Sequence, residues 1–211
     1  MSWLIELLEL NSPDPRQRLE LGQQLLFQLQ ISNLTSDSRI LNDFCDLLVQ
    51  WLSGSNHKVA SLAVEIMDKA VEVSGNVFGS YLLERITALV DRLGDAKQNV
   101  RDAMIHFLAN FARKAHLSPQ NILDKISFGL NHRQWLIRIG TMNVIKIIIE
   151  DYKRSVEPQI SRMTPNICKL MNDPNMDVRE VASRTLVAAF LNLSNQILEM
   201  IRRKQLISEP R

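Results

Sequence analysis

A nine-residue pattern recurs without gaps along this chain, at Leu52-Ser-Gly-Ser-Asn-His-Lys-Val-Ala60, Leu93-Gly-Asp-Ala-Lys-Gln-Asn-Val-Arg101, Leu130-Asn-His-Arg-Gln-Trp-Leu-Ile-Arg138 and Met171-Asn-Asp-Pro-Asn-Met-Asp-Val-Arg179. The copies begin 41, 37 and 41 positions apart. A period near 40 restricts the chain to a stack of similar paired-helix units, because one such unit cannot bury its apolar face without a neighbour. The loops of such a stack form a surface, so binding is the expected function.

Each copy lies between two segments of helical period. Phe44, Leu47, Leu48 and Trp51 precede the first at i, i+3, i+4 and i+7, and Val59, Leu62, Ala63, Ile66, Met67 and Ala70 follow it. The second lies between Leu82, Ile86, Leu89, Val90 and Val100, Met104, Phe107, Leu108, Phe111. The third lies between Ile122, Ile126, Leu130 and Ile137, Met142, Ile145, Ile149, and the fourth between Ile160, Met163, Ile167, Leu170 and Val178, Val181, Ala182, Leu186, Phe190. The pattern is therefore a tight turn between antiparallel helices.

A degenerate fifth copy, Leu10-Asn-Ser-Pro-Asp-Pro-Arg-Gln-Arg18, aligns Arg18 with Arg101 but lacks the apolar residue at the Val100 position. Its prolines end a helix over Trp3 to Leu10, and Pro15 suits the start of the next. A last helix over about Ser194 to Lys204 closes the stack. Breakers at Ser74-Gly75-Asn76, His116-Leu117-Ser118-Pro119 and Ser155-Val156-Glu157-Pro158 join the units, and Pro165 predicts a kink or a late start in the helix that holds it. The expectation is an all-α solenoid of the HEAT or armadillo kind with about six helical hairpins. It occupies residues 1–207 as one domain, with a polar tail at 208–211.

Composition sets outer limits on function. The 211 residues carry a formal net charge of +2, too small to imply a nucleic-acid partner without a basic face. No apolar run reaches the roughly 18 residues of a membrane span. The N-terminus has no basic leader region, so a cytoplasmic or nuclear setting is expected. Cys45 and Cys168 each sit in an apolar helical run and read as buried reduced thiols.

Charge in the turns is more informative. The four strong copies hold six cations (Lys58, Lys97, Arg101, Arg133, Arg138, Arg179) against three acids (Asp95, Asp173, Asp177). Arg101, Arg138 and Arg179 share one repeat position, and Asp95 and Asp173 share another, so a ladder of Asp to Arg pairs between neighbouring repeats is the favoured reading over ligand contact. Lys58, Lys97 and Arg133 fall at or just before a first helical turn, where the macrodipole disfavours cations. Contact with an acidic partner and plain solvation are equal readings for these three. Asn56, Asn99 and Asn175 are turn residues first and contacts second. Trp135 starts a helix, where packing against the preceding turn is favoured over service as an exposed binding anchor.

No catalytic constellation emerges. His57, His106, His116 and His132 are scattered without metal-ligand spacing, the cysteines form no CxxC, and Gly94-Asp95-Ala96-Lys97 is not a phosphate-binding loop. No cofactor and no metal are expected, and an enzyme is not the preferred reading.

At its turns the chain resembles a TOG domain, a six-repeat HEAT array of microtubule regulators, and more narrowly the first TOG domain of the CLASP family. The resemblance rests on Leu89-Val-Asp-Arg-Leu-Gly-Asp-Ala-Lys-Gln-Asn-Val-Arg101, Asn131-His-Arg-Gln-Trp135 and Pro165-Asn-Ile-Cys-Lys-Leu-Met-Asn-Asp-Pro-Asn175 leading to Val178-Arg179-Glu180, and it runs from about residue 2 to residue 207. It implies a monomeric domain that contacts αβ-tubulin or microtubules through the turns, stabilises microtubules, and acts in the cytoskeleton at plus ends, spindles or kinetochores with other microtubule or kinetochore proteins. By position the implied contacts are Asn56, His57, Lys58, Lys97, Arg101, Arg133 and Asn175, with Trp135 as a candidate anchor. Strong tubulin-binding TOG domains carry an aromatic in the first turn, where this chain has Ser12-Pro13-Asp14-Pro15. The alternative is a docking scaffold at kinetochore, spindle or cortex with little binding of free tubulin.

Overall fold

A computed structural model describes residues 3–206; the polar tail expected at 208–211 lies outside the described residues. These residues form helices and no strands, in two compact units, Met1–Leu117 and Ser118–Arg211.

The first unit contains α1 (Trp3–Glu9), α2 (Pro15–Ile31), α3 (Ser38–Ser53), α4 (His57–Ser74), α5 (Asn76–Glu84), α6 (Ile86–Asp91), a 3-10 turn (Arg92–Gly94) and α7 (Gln98–Lys114). Its three hairpins are α1 with α2, α3 with α4, and α5 plus α6 with α7. The second helices α2, α4 and α7 lie side by side. Asp14 and Asp37 start α2 and α3 by accepting bonds from Arg16 N and Arg39 N, both at 2.9 Å, and so each satisfies one of the amides that its helix start leaves open.

Apolar positions at helical spacing form the core, with Leu25, Phe44, Leu48, Trp51, Ile66, Met67, Phe78 and Phe111 each sealed from solvent. The Phe44 and Phe78 rings meet at 5.3 Å, tilted by 32°. α2 and α4 pack closely because position 22 is glycine: a Cβ there would lie 2.3 Å from Leu62 Cδ2.

The second unit contains α8 (Pro119–Ile126) with a 3-10 turn (Ser127–Asn131), α9 (Trp135–Tyr152), a 3-10 turn (Lys153–Val156), α10 (Glu157–Leu170), α11 (Met176–Asn192) and α12 (Gln196–Arg203). Its two hairpins are α8 with α9 and α10 with α11, and α12 packs on the latter through buried Ile197 and Ile201. Against the expected six or so helical hairpins, the described residues hold three in the first unit and two, with the single helix α12, in the second. Helix α10 starts at Glu157 and runs through Pro165, which corrects the expected late start. Pro158 occupies its first turn, where a missing amide costs nothing.

The links between hairpins repeat as well. α4 ends at Gly75 with φ 58° and ψ −130°, and α9 ends at Lys153 with φ 48° and ψ −132°. His116, after α7, has φ 51°. These left-handed positions keep the 41- and 37-residue spacing of the turns, but only the first is a glycine.

Among the described residues no helix is long and apolar enough to cross a membrane. Both cysteines are buried. Burial pushes the Cys45 thiol up to about 12, against a smaller opposing pull from the Arg85 charge, and pushes Cys168 up to about 11.

Candidate partner-binding turns

Each of the five copies ends in a helix start, and four of them share a brace at the third residue and a fastener at the ninth; the second has Gly54 and Ala60 there and lacks both. The fifth residue is the helix N-cap in all five: Asp14, Asn56, Lys97, Gln134 and Asn175. Asn56 Oδ1 accepts from Lys58 N at 3.0 Å and Val59 N at 3.2 Å, and Asn175 Oδ1 accepts from Asp177 N at 2.8 Å and Val178 N at 3.3 Å. Both asparagines therefore spend their carbonyl oxygen on the helix start.

The third residue braces the fifth. Ser12 Oγ, Asp95 Oδ1, His132 Nδ1 and Asp173 Oδ1 accept from the amides of Asp14, Lys97, Gln134 and Asn175 at 2.7–3.2 Å. The N-caps therefore lie two residues after Asp95 and Asp173, at Lys97 and Asn175. Lys97 cannot accept a hydrogen bond, so the brace from Asp95 matters most there.

The ninth residue closes the turn from behind. Arg101 Nη1 donates to the carbonyls of Asp95 at 2.6 Å and Ala96 at 3.2 Å. Arg138 Nη1 donates to His132 O and Arg133 O, Arg179 Nη1 to Asp173 O and Pro174 O, and Arg18 Nε to Ser12 O. The degenerate first copy therefore shares the cap, the brace and the bond to the third carbonyl, but not the one to the fourth.

This corrects the expected ladder. Among the described residues one rung is seen, Arg138 with Asp173, where Nη2 donates to Oδ1 at 3.1 Å and Nε lies 2.9 Å from Oδ2 as an ion pair outside hydrogen-bond geometry. Asp95 pairs instead with Arg92, three residues before it, at 2.9 Å. Arg101 and Arg179 are chiefly fasteners of their own turns.

These bonds also line up successive turns within each unit. Trp51 Nε1 donates to Asn11 Oδ1 at 3.1 Å, tying the first turn to the end of α3, and Arg92 Nη2 donates to Gly54 O at 3.1 Å, tying the second turn to the third. Asn99, expected as a turn residue, reaches back from α7 to Ser61 Oγ at 3.4 Å. Arg138 and Asp173 join the fourth and fifth turns in the second unit. The result is three aligned turns in Met1–Leu117 and two in Ser118–Arg211.

Three cations of the four strong copies stand apart, and exposed Arg16 in the first turn of α2 shares their state in the degenerate copy. Lys58, Lys97 and Arg133 are exposed, and among the described residues their side chains have no hydrogen-bond or ion-pair partner. Each sits within or just before a first helical turn, a placement that costs about 0.3–1 kcal/mol. His57 is half-buried at the first helical position of α4. The same position holds Trp135, 37% exposed, and Met176, 70% exposed. Trp135 is thus neither packed away nor fully free. Met176 was missed from sequence, although it aligns with Trp135 in the repeat. The first turn presents no aromatic, since Ser12 and Asp14 are absorbed in its hydrogen bonds and Pro13 is exposed.

Comparison with known proteins agrees with this architecture. The family model of the EF3 N-terminal HEAT repeat matches residues 41–186. The chain is 33% identical over 211 residues to protein CLASP-1 of Caenorhabditis briggsae, covering 99% of this chain and 16% of that protein. It therefore spans about one-sixth of that relative's length. Among solved structures, the MAST/Orbit N-terminal domain superposes with a TM-score of 0.84 at 25% identity, over 99% of this chain and 91% of that one. A TOG domain studied for tubulin-binding specificity in microtubule dynamics and mitotic spindle formation superposes with a TM-score of 0.71 at 19% identity, over 94% and 79%, which speaks to the fold alone. Repeat period, turn geometry and these likenesses converge: the chain belongs to the HEAT-repeat family, as an array of the TOG kind related to the CLASP proteins.

Proposed function

We propose that this chain is a microtubule-associated TOG domain that contacts αβ-tubulin through its intra-hairpin turns. The observation that carries the reading is the set Lys58, Lys97 and Arg133: exposed, unpartnered among the described residues, and held at helix starts that disfavour positive charge. An acidic partner gives those charges a use, and tubulin is strongly acidic. Asn56, His57 and Asn175 flank the cations, Arg101 holds the third turn in shape, and Trp135 with Met176 adds apolar contact in the second unit.

The mechanism is non-catalytic. Turns fastened by arginine–carbonyl bonds form rigid edges, and a rigid edge that fits one tubulin conformation better than another shifts its population by the difference in affinity. Residues 1–207 act in this reading as one monomeric domain, located on the cytoskeleton at plus ends, spindle or kinetochore. The relatives' association with tubulin and microtubules favours this over a docking scaffold that ignores tubulin. Co-elution of the purified chain with tubulin tests it: binding at low salt that weakens at moderate salt is expected, and no binding at either overturns it.

A further inference from the structure

A second surface, between α1 and α3 of the first unit, has a different chemistry. Ile5 and Leu8 from α1 and Ile40 and Leu47 from α3 line a shallow groove of about 340 Å³, closed on the α1 side by Glu9 and on the α3 side by Asp43. The spacing explains the arrangement. Residues 5, 8 and 9 lie on one face of α1, and 40, 43 and 47 on one face of α3, so each helix turns aliphatic side chains and one carboxylate to the same cleft. Ile5, Leu8 and Ile40 remain partly accessible.

The charges around the groove are unbalanced. Among the described residues neither Glu9 nor Asp43 has an ion-pair partner, and exposed Glu6 adds a third free acid on α1. Asp46, next along α3, is held by Arg85 at 2.6 Å. Arg39, one turn before Asp43, makes no ion pair with it. An apolar floor with a charged rim is the anatomy of an interface, and here the rim is acidic on both walls.

We propose that this groove docks a short peptide segment of a partner protein that presents Leu or Ile flanked by Lys or Arg. The volume lies at the small end of the roughly 300–1,000 Å³ range of binding pockets, enough for an aliphatic side chain or two and too little for a large ligand. Basic flanks pair with Glu9 and Asp43 as the segment seats. An acidic or neutral segment leaves both carboxylates partly desolvated and unpaired.

The inference does not depend on the tubulin reading. Its test is methyl NMR of the whole chain, labelled at Ile and Leu, titrated with three short synthetic peptides: Leu flanked by Lys and Arg, Ala in the same basic flanks, and Leu flanked by Asp and Glu. The first peptide alone moves the Ile5 and Ile40 methyl signals. Glu9→Lys with Asp43→Lys weakens it by at least about tenfold, Glu9→Gln with Asp43→Asn weakens it less, and Lys58→Glu with Lys97→Glu leaves it unchanged. Equal binding of all three peptides, or no movement of those methyls at saturating first peptide, overturns the proposal. So does self-association of the chain that moves the same methyls without peptide, which makes a second copy the occupant.

Discussion

Arg92 donates from Nη2 to the carbonyl oxygen of Gly54 at 3.1 Å, and that bond repairs the one turn that lacks its own arginine. Gly54 is the third residue of its copy, and the carbonyl at this position is the one Arg18, Arg101, Arg138 and Arg179 bind elsewhere. The ninth residue here is Ala60, fully buried and unable to reach it. Arg92 also holds Asp95, so one guanidinium serves two successive turns. Replacing Arg92 with Ala is expected to cost about 1.5–3 kcal/mol in urea denaturation, the range for hydrogen bonds to charged groups. Arg101→Ala, which leaves the link between turns intact, costs less. Equal losses would contradict this division of roles.

The links between hairpins predict a pair of opposite effects. Lys153 adopts the backbone conformation that Gly75 adopts, one that an L side chain strains. Lys153→Gly therefore stabilises the chain by about 1 kcal/mol, because Lys153 is exposed and loses little packing. Gly75→Ala destabilises it, since the added Cβ would also meet His116 Cδ2 at 3.0 Å. Thermal melts of the two variants check both signs.

Alkaline stability follows from the thiols. Below the ordinary value of 9.0, Cys45 is protonated in both folded and unfolded chains and its contribution is fully present. Between 9.0 and about 12 the unfolded chain releases the proton first, so stability falls as pH rises. Cys168 acts in the same sense up to about 11. Cys45→Ala should flatten the loss above pH 9 by up to about 1.4 kcal/mol per pH unit, whatever it does to stability at neutral pH. Neither thiol should react with a water-soluble alkylating reagent at neutral pH unless the chain is unfolded.

The N-caps allow structure and binding to be separated. Aspartate caps a helix about as well as asparagine and suits the positive end of the helix dipole. Asn56→Asp and Asn175→Asp are therefore expected to leave the melting temperature level or slightly higher while weakening tubulin binding, by adding negative charge beside an acidic partner. Asn56→Ala instead loses about 1 kcal/mol of stability. Equal tubulin affinity in wild type and both Asp variants would remove these asparagines from the interface.

Much of this was legible in the sequence, for identifiable reasons. The pattern at 52–60, 93–101, 130–138 and 171–179 located the turns because helix starts need a cap and each hairpin must present the same faces. The direction of the arginines was not legible. Spacing places Arg101 near both its own turn and its neighbour's, and only the fold shows its guanidinium turned back onto Asp95 O and Ala96 O. Arg92 was hidden because it lies outside the nine-residue pattern. Met176 was visible through its alignment with Trp135 but is not a typical turn anchor. Pro165 does not delay its helix, which has already begun at Glu157, and packing of Ile160, Met163 and Ile167 carries it through.

The most direct test of the central claim is the dissociation constant for soluble αβ-tubulin, measured by fluorescence anisotropy as a function of salt, for the wild-type chain and for Lys58→Glu with Lys97→Glu. Both lysines are exposed and free of internal partners among the described residues, and an acid suits a helix start better than a cation, so the variant should melt no lower than wild type. Affinity that falls with salt, and a variant weaker by at least about tenfold with a shallower salt dependence, is the predicted result. An unchanged dissociation constant in a folded variant would contradict the claim that these turns meet tubulin.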